Sequence, residues 1–130
     1  MGASENADRI RAGYKAFNAG DVPALSELFA DDIVWHFPGT SKLAGEHIGR
    51  DATLGALGGY GAASNGTLQA NLVDVVADGD RVLGWAKDTG TNATGALAVD
   101  SVVIFTLRDG RVVDGRQIVS DEAALDAFLA

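Results

Sequence analysis

The chain has 130 residues, 47% of them apolar and 22% charged, the size and make-up of one globular domain. It has no cysteine, which excludes a disulfide scaffold, a thiolate zinc site, an iron–sulfur cluster and a cysteine nucleophile. Eighteen acidic residues against 10 basic ones leave a net charge of -8, with no Lys/Arg cluster for nucleic acid or an anionic membrane.

Met1 to Arg11 is polar and lacks the apolar run of a signal peptide, and no stretch approaches a membrane span, so the cytoplasm is the expected compartment. The sequons at Asn65 and Asn92 are then chance occurrences. Ser4 is placed to cap a first helix, with Glu5 and Asp8 where negative charge suits the helix dipole. Ala7, Ile10, Tyr14 and Phe17 recur at steps of three and four, one apolar stripe that ends at Asn18-Ala19-Gly20. Asp21 opens a second helix with Pro23 in its first turn and Val22, Leu25, Leu28 and Phe29 as its apolar face. Asp31-Asp32 is expected to break it, and Ile33 to Phe37 reads as a strand. Pro38 to Gly49 reads as a loop. Arg50 to about Ala63 has helical spacing, but Gly55, Gly58, Gly59 and Gly61 predict a short, loose or interrupted helix.

The second half alternates as strands do. Thr67 to Ala77, Arg81 to Thr89, Leu97 to Leu107 and Arg111 to Val119 are predicted strands. Asp78-Gly79-Asp80 and Asp109-Gly110 are their turns, and a Gly/Thr/Asn loop runs to Gly95. Asp121 caps a closing helix with Ala124, Leu125 and Phe128 on one face. Helices followed by hairpin-linked strands predict an α+β fold: a curved antiparallel sheet packed against three to four helices, one domain over residues 1–130. Such a sheet closed by helices is a cone, and its apolar mouth suits a small molecule.

The segment FNAGDVPALSELFADDIVWHFPG resembles the helix–GD–helix–LFADD–strand opening of the NTF2-like superfamily. GEHIGRDA resembles the segment that follows, and VVIFTLRDGRVVDGRQIVSDEAALDAF the last hairpin and closing helix. Within that superfamily the chain looks most like the SnoaL-like group, which includes polyketide cyclases, and its neighbours the ketosteroid isomerases. The resemblance implies an NTF2-like cone and commonly a homodimer through the outer sheet face. It implies no cofactor. The fold hosts both enzymes and binding modules.

Carried over residue by residue, Tyr14 falls where the isomerases keep an oxyanion-donating tyrosine. Their base falls on Phe37 and their second donor near Val103, so the usual steroid isomerase is not expected. Cyclases of the group resemble proton-transfer catalysts with an Asp and a His, for which His36 and Asp100 are the candidates here. Imidazole titrates near working pH and can abstract a proton alpha to a carbonyl. Strand alternation, however, puts His36 opposite Trp35 and Phe37, and places Asp100 outward if Val103 is inward. An exposed or hydrogen-bonded role stands beside the catalytic one for both. Asp100 with Arg116 is the one pair that could resemble the Asp–Arg group of epoxide hydrolases of this fold. His36 and His47, with Glu46, lack a specified third metal ligand, so no metal is expected.

In the family register Gly84, Ala86, Val103, Gly115 and Gln117 point inward beside Tyr14, Trp35 and Phe37. They describe an apolar, roomy pocket whose polar handles are the Tyr14 hydroxyl, the Trp35 indole, the Gln117 amide and Asp88. The same aromatics could equally fill a core. The Gly-rich segment could be a lid or only a weak helix. Leu83, Trp85 and Lys87 with Val102 and Ile104 mark the outer face, where a homodimer is expected. Two functions remain: a cofactor-independent cyclase, isomerase or hydrolase for a small hydrophobic carbonyl compound, or a non-catalytic binding or dimerisation module.

Overall fold

A computed structural model describes residues 2–130. Helix α1 spans Ala3–Ala19, α2 Val22–Leu28, α3 Arg50–Ala62 and α4 Glu122–Leu129. The strands are β1 Phe29–Phe37, β2 Gly45–Ile48, β3 Gln69–Asp78, β4 Arg81–Asn92, β5 Gly95–Arg108 and β6 Arg111–Val119. They form one six-stranded, unclosed sheet in the order β2-β1-β6-β5-β4-β3. Only β1 and β6 run parallel; every other pair is antiparallel. This is the expected α+β arrangement. Extra residues in β3 between Leu72 and Asp74, and in β6 opposite Thr106 and Leu107, add the local bend that bulges give a strand.

Burial in β4 alternates without a break, with Val82, Gly84, Ala86, Asp88 and Gly90 inward and Leu83, Trp85 and Lys87 outward. β5 repeats the pattern from Leu97 to Leu107. The inward rows and the helices enclose a core in which Ile10, Ile33, Val82, Val112 and Leu125 are fully buried. Two asparagines hold α1 across the concave face. Asn6 donates to the carbonyl of Gly79 (2.9 Å), and Asn18 exchanges two hydrogen bonds with the backbone of Ala70 (2.8 and 2.9 Å). That double tether fixes the stretch of α1 that carries Tyr14.

The structure departs from the sequence reading in five places. Gly2, not Ser4, is the N-cap of α1; its carbonyl accepts from Asn6, so Ser4 lies inside the first turn. Asp31-Asp32 lies within β1, which starts at Phe29. The two exposed carboxylates are held by Arg50 and Arg108, which makes them tolerable in a strand. Gly45–Ile48 is a strand within the expected loop. It is an exposed edge strand without apolar alternation, so its pairing with β1 left no pattern to read. α3 is continuous for 13 residues despite its glycines, because burying Thr53, Ala56, Leu57 and Tyr60 outweighs poor propensity. The expected loop before Gly95 is a tight hairpin in which Asn92 Oδ1 accepts from Thr94 (2.8 and 2.6 Å). Among the described residues no helix is long and apolar enough to cross a membrane.

Candidate functional site

α1, α2, α3 and the concave face of the sheet surround a cavity of about 70 Å³. Its walls are almost wholly apolar, with Ile10, Phe17, Leu28, Phe29, Leu57, Val103 and Phe105 among them. Aromatic rings meet edge to face around it: Tyr14 on Phe105 (centroids 6.2 Å apart) and Trp35 on Phe105 (5.9 Å). Five polar side chains reach the wall: Tyr14, Tyr60, Asp88, Ser101 and Gln117.

Asp88 is the unusual member. It sits at an inward position of β4 and is buried. Its Oδ2 accepts a hydrogen bond from the Tyr60 hydroxyl (2.8 Å), while Oδ1 has no partner. Burial pushes its pKa up from 3.8 to about 6, against the opposing pull of the Tyr60 and Ser101 hydroxyls. A carboxyl tuned toward neutrality and left with a free oxygen in an apolar cavity has the profile of a proton-transfer group.

Tyr14 supplies the complement. Its hydroxyl is buried and unpartnered. Burial first, and then the charge of Asp88, push its pKa far above the ordinary tyrosine value. It is therefore a neutral O–H donor at every working pH. The ring lies on Gly84, where a Cβ would stand 2.5 Å from the hydroxyl oxygen. Trp35 occupies the equivalent place on Gly115, where a Cβ would stand 2.4 Å from its ring. The two glycines thus seat aromatic rings and do not enlarge the cavity, contrary to the roomy pocket the sequence suggested.

Other expected site residues fall differently. Val103 and Gln117 line the cavity as predicted, and Trp35 does too. The Trp35 indole N–H is committed to Gln117 Oε1 (3.3 Å), so the handle left free is the Gln117 amide nitrogen. Phe37 is buried behind Tyr60 (centroids 5.4 Å apart, rings at 83°), and Gly84 and Ala86 face inward without reaching the cavity wall.

His36 and Asp100 lie on the other side of the sheet, which removes both from chemistry in the cavity. His36 Nε2 is 2.9 Å from Asp114, and Nδ1 is 3.8 Å from Glu46. Asp100 is 3.6 Å from Lys87 Nζ. The cause is the period-2 rule: with Trp35 and Phe37 inward, His36 is outward, and with Val99 and Ser101 inward, so is Asp100. Arg116 pairs with Ile104, four residues from Asp100 along β5, roughly 13 Å at strand rise, so the Asp–Arg pair does not form. Among the described residues no cluster of His, Asp and Glu fit for a metal ion is found.

A model of the SnoaL-like domain matches residues 10–115. The chain belongs to the SnoaL-like family. Several solved structures share this architecture closely. A protein called Bal32a, from a soil-derived mobile gene cassette, superposes with a TM-score of 0.95 at 40% identity, over 98% of each chain. An NTF2-like protein of Burkholderia xenovorans gives 0.82 at 29% identity, over 100% of this chain and 99% of that one. IdmH of Streptomyces antibioticus, which has been proposed to be a polyketide cyclase, gives 0.77 at 28%, over 94% and 96%. The NTF2-like fold is therefore the fold of this SnoaL-like chain, as its helix–GD–helix–LFADD opening implied. Asp88, which the sequence offered only as a polar handle, is buried and hydrogen-bonded to Tyr60. Its signal was available: an acid in the inward register of a strand otherwise filled by Val82, Gly84 and Ala86.

Proposed function

We propose that this chain is a cofactor-independent enzyme that moves a proton on a small hydrophobic carbonyl compound. One observation carries the reading: two buried oxygens without hydrogen-bond partners, Tyr14 Oη and Asp88 Oδ1, belong to one apolar cavity. A buried polar atom left unpaired costs about 1–3 kcal/mol, and a substrate that pairs both recovers that cost. With a ketone oxygen on the Tyr14 hydroxyl, Asp88 as carboxylate takes a proton from the alpha carbon. The C–H bond breaks, its electron pair forms the enolate C=C, and the carbonyl pair moves to the oxygen that Tyr14 stabilises. The enolate then regains a proton elsewhere, which is an isomerisation, or attacks an electrophilic carbon of the same molecule, which is a cyclisation. IdmH, similar over most of its length, has been proposed to be a polyketide cyclase, and that supports the second outcome.

The test is exchange of alpha protons in heavy water, followed by NMR over a panel of cyclic and fused-ring ketones, with Trp35 fluorescence reporting occupancy in a Trp85→Phe background. Exchange is expected above background for at least one ketone, rising with pH through about 6 as Asp88 ionises. His36→Ala leaves it unchanged, because His36 faces away from the cavity. Saturable quenching without exchange of any ketone would instead identify a binding module.

The homodimer belongs to the same reading. Trp85, 41% exposed, stands on the outer sheet face with Leu83 and Ile118, beside the paired Lys87 and Asp100. A patch that holds both charges and apolar side chains can match its own copy about a two-fold axis. Light scattering is expected to give the dimer mass for the native chain and the monomer mass for Trp85→Glu.

A further inference from the structure

At about 70 Å³ the cavity is less than half the volume of an apolar protein cavity of roughly 150 Å³ that binds benzene. A cyclic ketone fits wholly inside only if a wall moves, and the walls are unequal. The sheet is held by ladders, and α1 is tethered by Asn6 and Asn18. α3 has three side-chain ties: Arg50 to the carbonyl of Phe29, Tyr60 to Asp88, and, just past its end, Asn92 to the carbonyl of Ala63. Between those ties it holds Gly55, Gly58 and Gly61, at each of which a Cβ would meet nothing within 4 Å. No packing requirement accounts for these three glycines, and each makes the helix less stable than alanine would. The same helix carries Tyr60, the donor to Asp88.

We propose that Tyr60 is a positioning residue and α3 its carrier: the C-terminal half of α3 moves outward to admit the ligand, and in doing so takes the Tyr60 hydroxyl off Asp88. The inference rests on Asp88 being the base. In the empty protein the Tyr60 hydrogen bond holds the carboxylate in its ionised form, ready to accept a proton. Withdrawal of that donor as the substrate arrives raises the affinity of Asp88 for a proton, so the base is strongest when the substrate is present. The other groups that interact with Asp88 are Tyr14 from α1 and Ser101 from β5, neither of which brings a charge.

Two measurements on the ligand-free protein test this. In a carbon-13 NMR titration, Tyr60→Phe is expected to raise the midpoint of the Asp88 carboxyl by about one unit, a tenfold tighter proton. A tyrosine whose hydroxyl does not act on Asp88 would leave the midpoint in place. In amide hydrogen exchange, α3 is expected to exchange faster than β4 and β5, and Gly55→Ala/Gly58→Ala/Gly61→Ala to slow it on the order of 100-fold. An unmoved midpoint, or protection of α3 equal to that of the central strands, overturns the proposal. Neither readout depends on turnover. A failure of proton transfer itself would show in the heavy-water exchange and leave these two results standing.

Discussion

Asp88→Asn is expected to lower alpha-proton exchange by about 10³-fold, within the range of about 10²–10⁴ for loss of a positioned general base. Asparagine keeps the size and the Tyr60 hydrogen bond of Asp88 but cannot accept the proton. Exchange that persists in this variant would remove Asp88 from the mechanism. A second effect of the same substitution runs through stability. The folded-state pKa of Asp88 lies near 6 and its ordinary value at 3.8. The folded protein therefore holds this proton more tightly than the unfolded chain. The contribution of Asp88 to stability is fully present below about pH 4 and is lost as pH rises through about 6; above that the full cost of a buried carboxylate remains. At about 1.4 kcal/mol per unit, the cost is about 3 kcal/mol.

Asparagine has no such titration. The difference in unfolding free energy between Asp88→Asn and the native chain is thus expected to grow in favour of the variant by about 3 kcal/mol between about pH 3 and pH 7. Urea unfolding across that range measures it. The unpaired amide N–H₂ of the variant offsets part of the absolute gain at every pH, so the slope and not the level is the test. Activity and stability consequently run in opposite directions with pH. The ionised carboxylate, which takes the proton in the proposed reaction, is the form the fold least tolerates.

The sequence carried the fold well because the fold rests on local patterns: the stripe from Ala7 to Phe17, the Asp21 and Asp121 caps, and the alternation of β4 and β5. Both Asp caps accept from the backbone of the third residue along, at 3.2 and 2.9 Å. The pattern also placed His36 and Asp100 outward, and the family habit of a His and an Asp, with the titration range of imidazole, kept them as candidates. What the sequence could not show was long-range. The groups that tune Asp88 are Tyr60, 28 residues away, which donates to it, and Ser101, on the neighbouring strand. Depth of burial decides whether an inward Asp is a passive handle or a tuned acid, and no local window contains it. Gly84 and Gly115 misled for the same reason. Small residues imply space, but here α1 and β1 bring aromatic rings into that space. β2 was invisible because an exposed edge strand needs only backbone groups to pair.

Tyr14→Phe is expected to reduce the exchange rate by about 10²–10³-fold, the loss associated with one oxyanion donor, while KM for the ketone changes little. The reasoning turns on what the hydroxyl does before and during reaction. In the empty protein it has no partner, so the fold gains nothing from it; the variant is expected to unfold no more easily and slightly less. With a ground-state ketone it makes one modest hydrogen bond. Only as charge develops on the oxygen does the bond strengthen, and an apolar surround of Phe105, Leu28 and Val103 screens it little. Its aim is fixed by Gly84 beneath the ring and Phe105 at its edge, so little reorganisation is needed as the enolate forms. The loss should therefore fall on kcat. The pH profile of kcat/KM should keep its inflection near 6, because that belongs to Asp88 in the free protein. A variant that raised KM and left kcat alone would make Tyr14 a ground-state ligand contact only. Combining Tyr14→Phe with Asp88→Asn should cost less than the two separate losses multiplied, since a donor to the enolate oxygen has nothing to stabilise once no base forms the enolate.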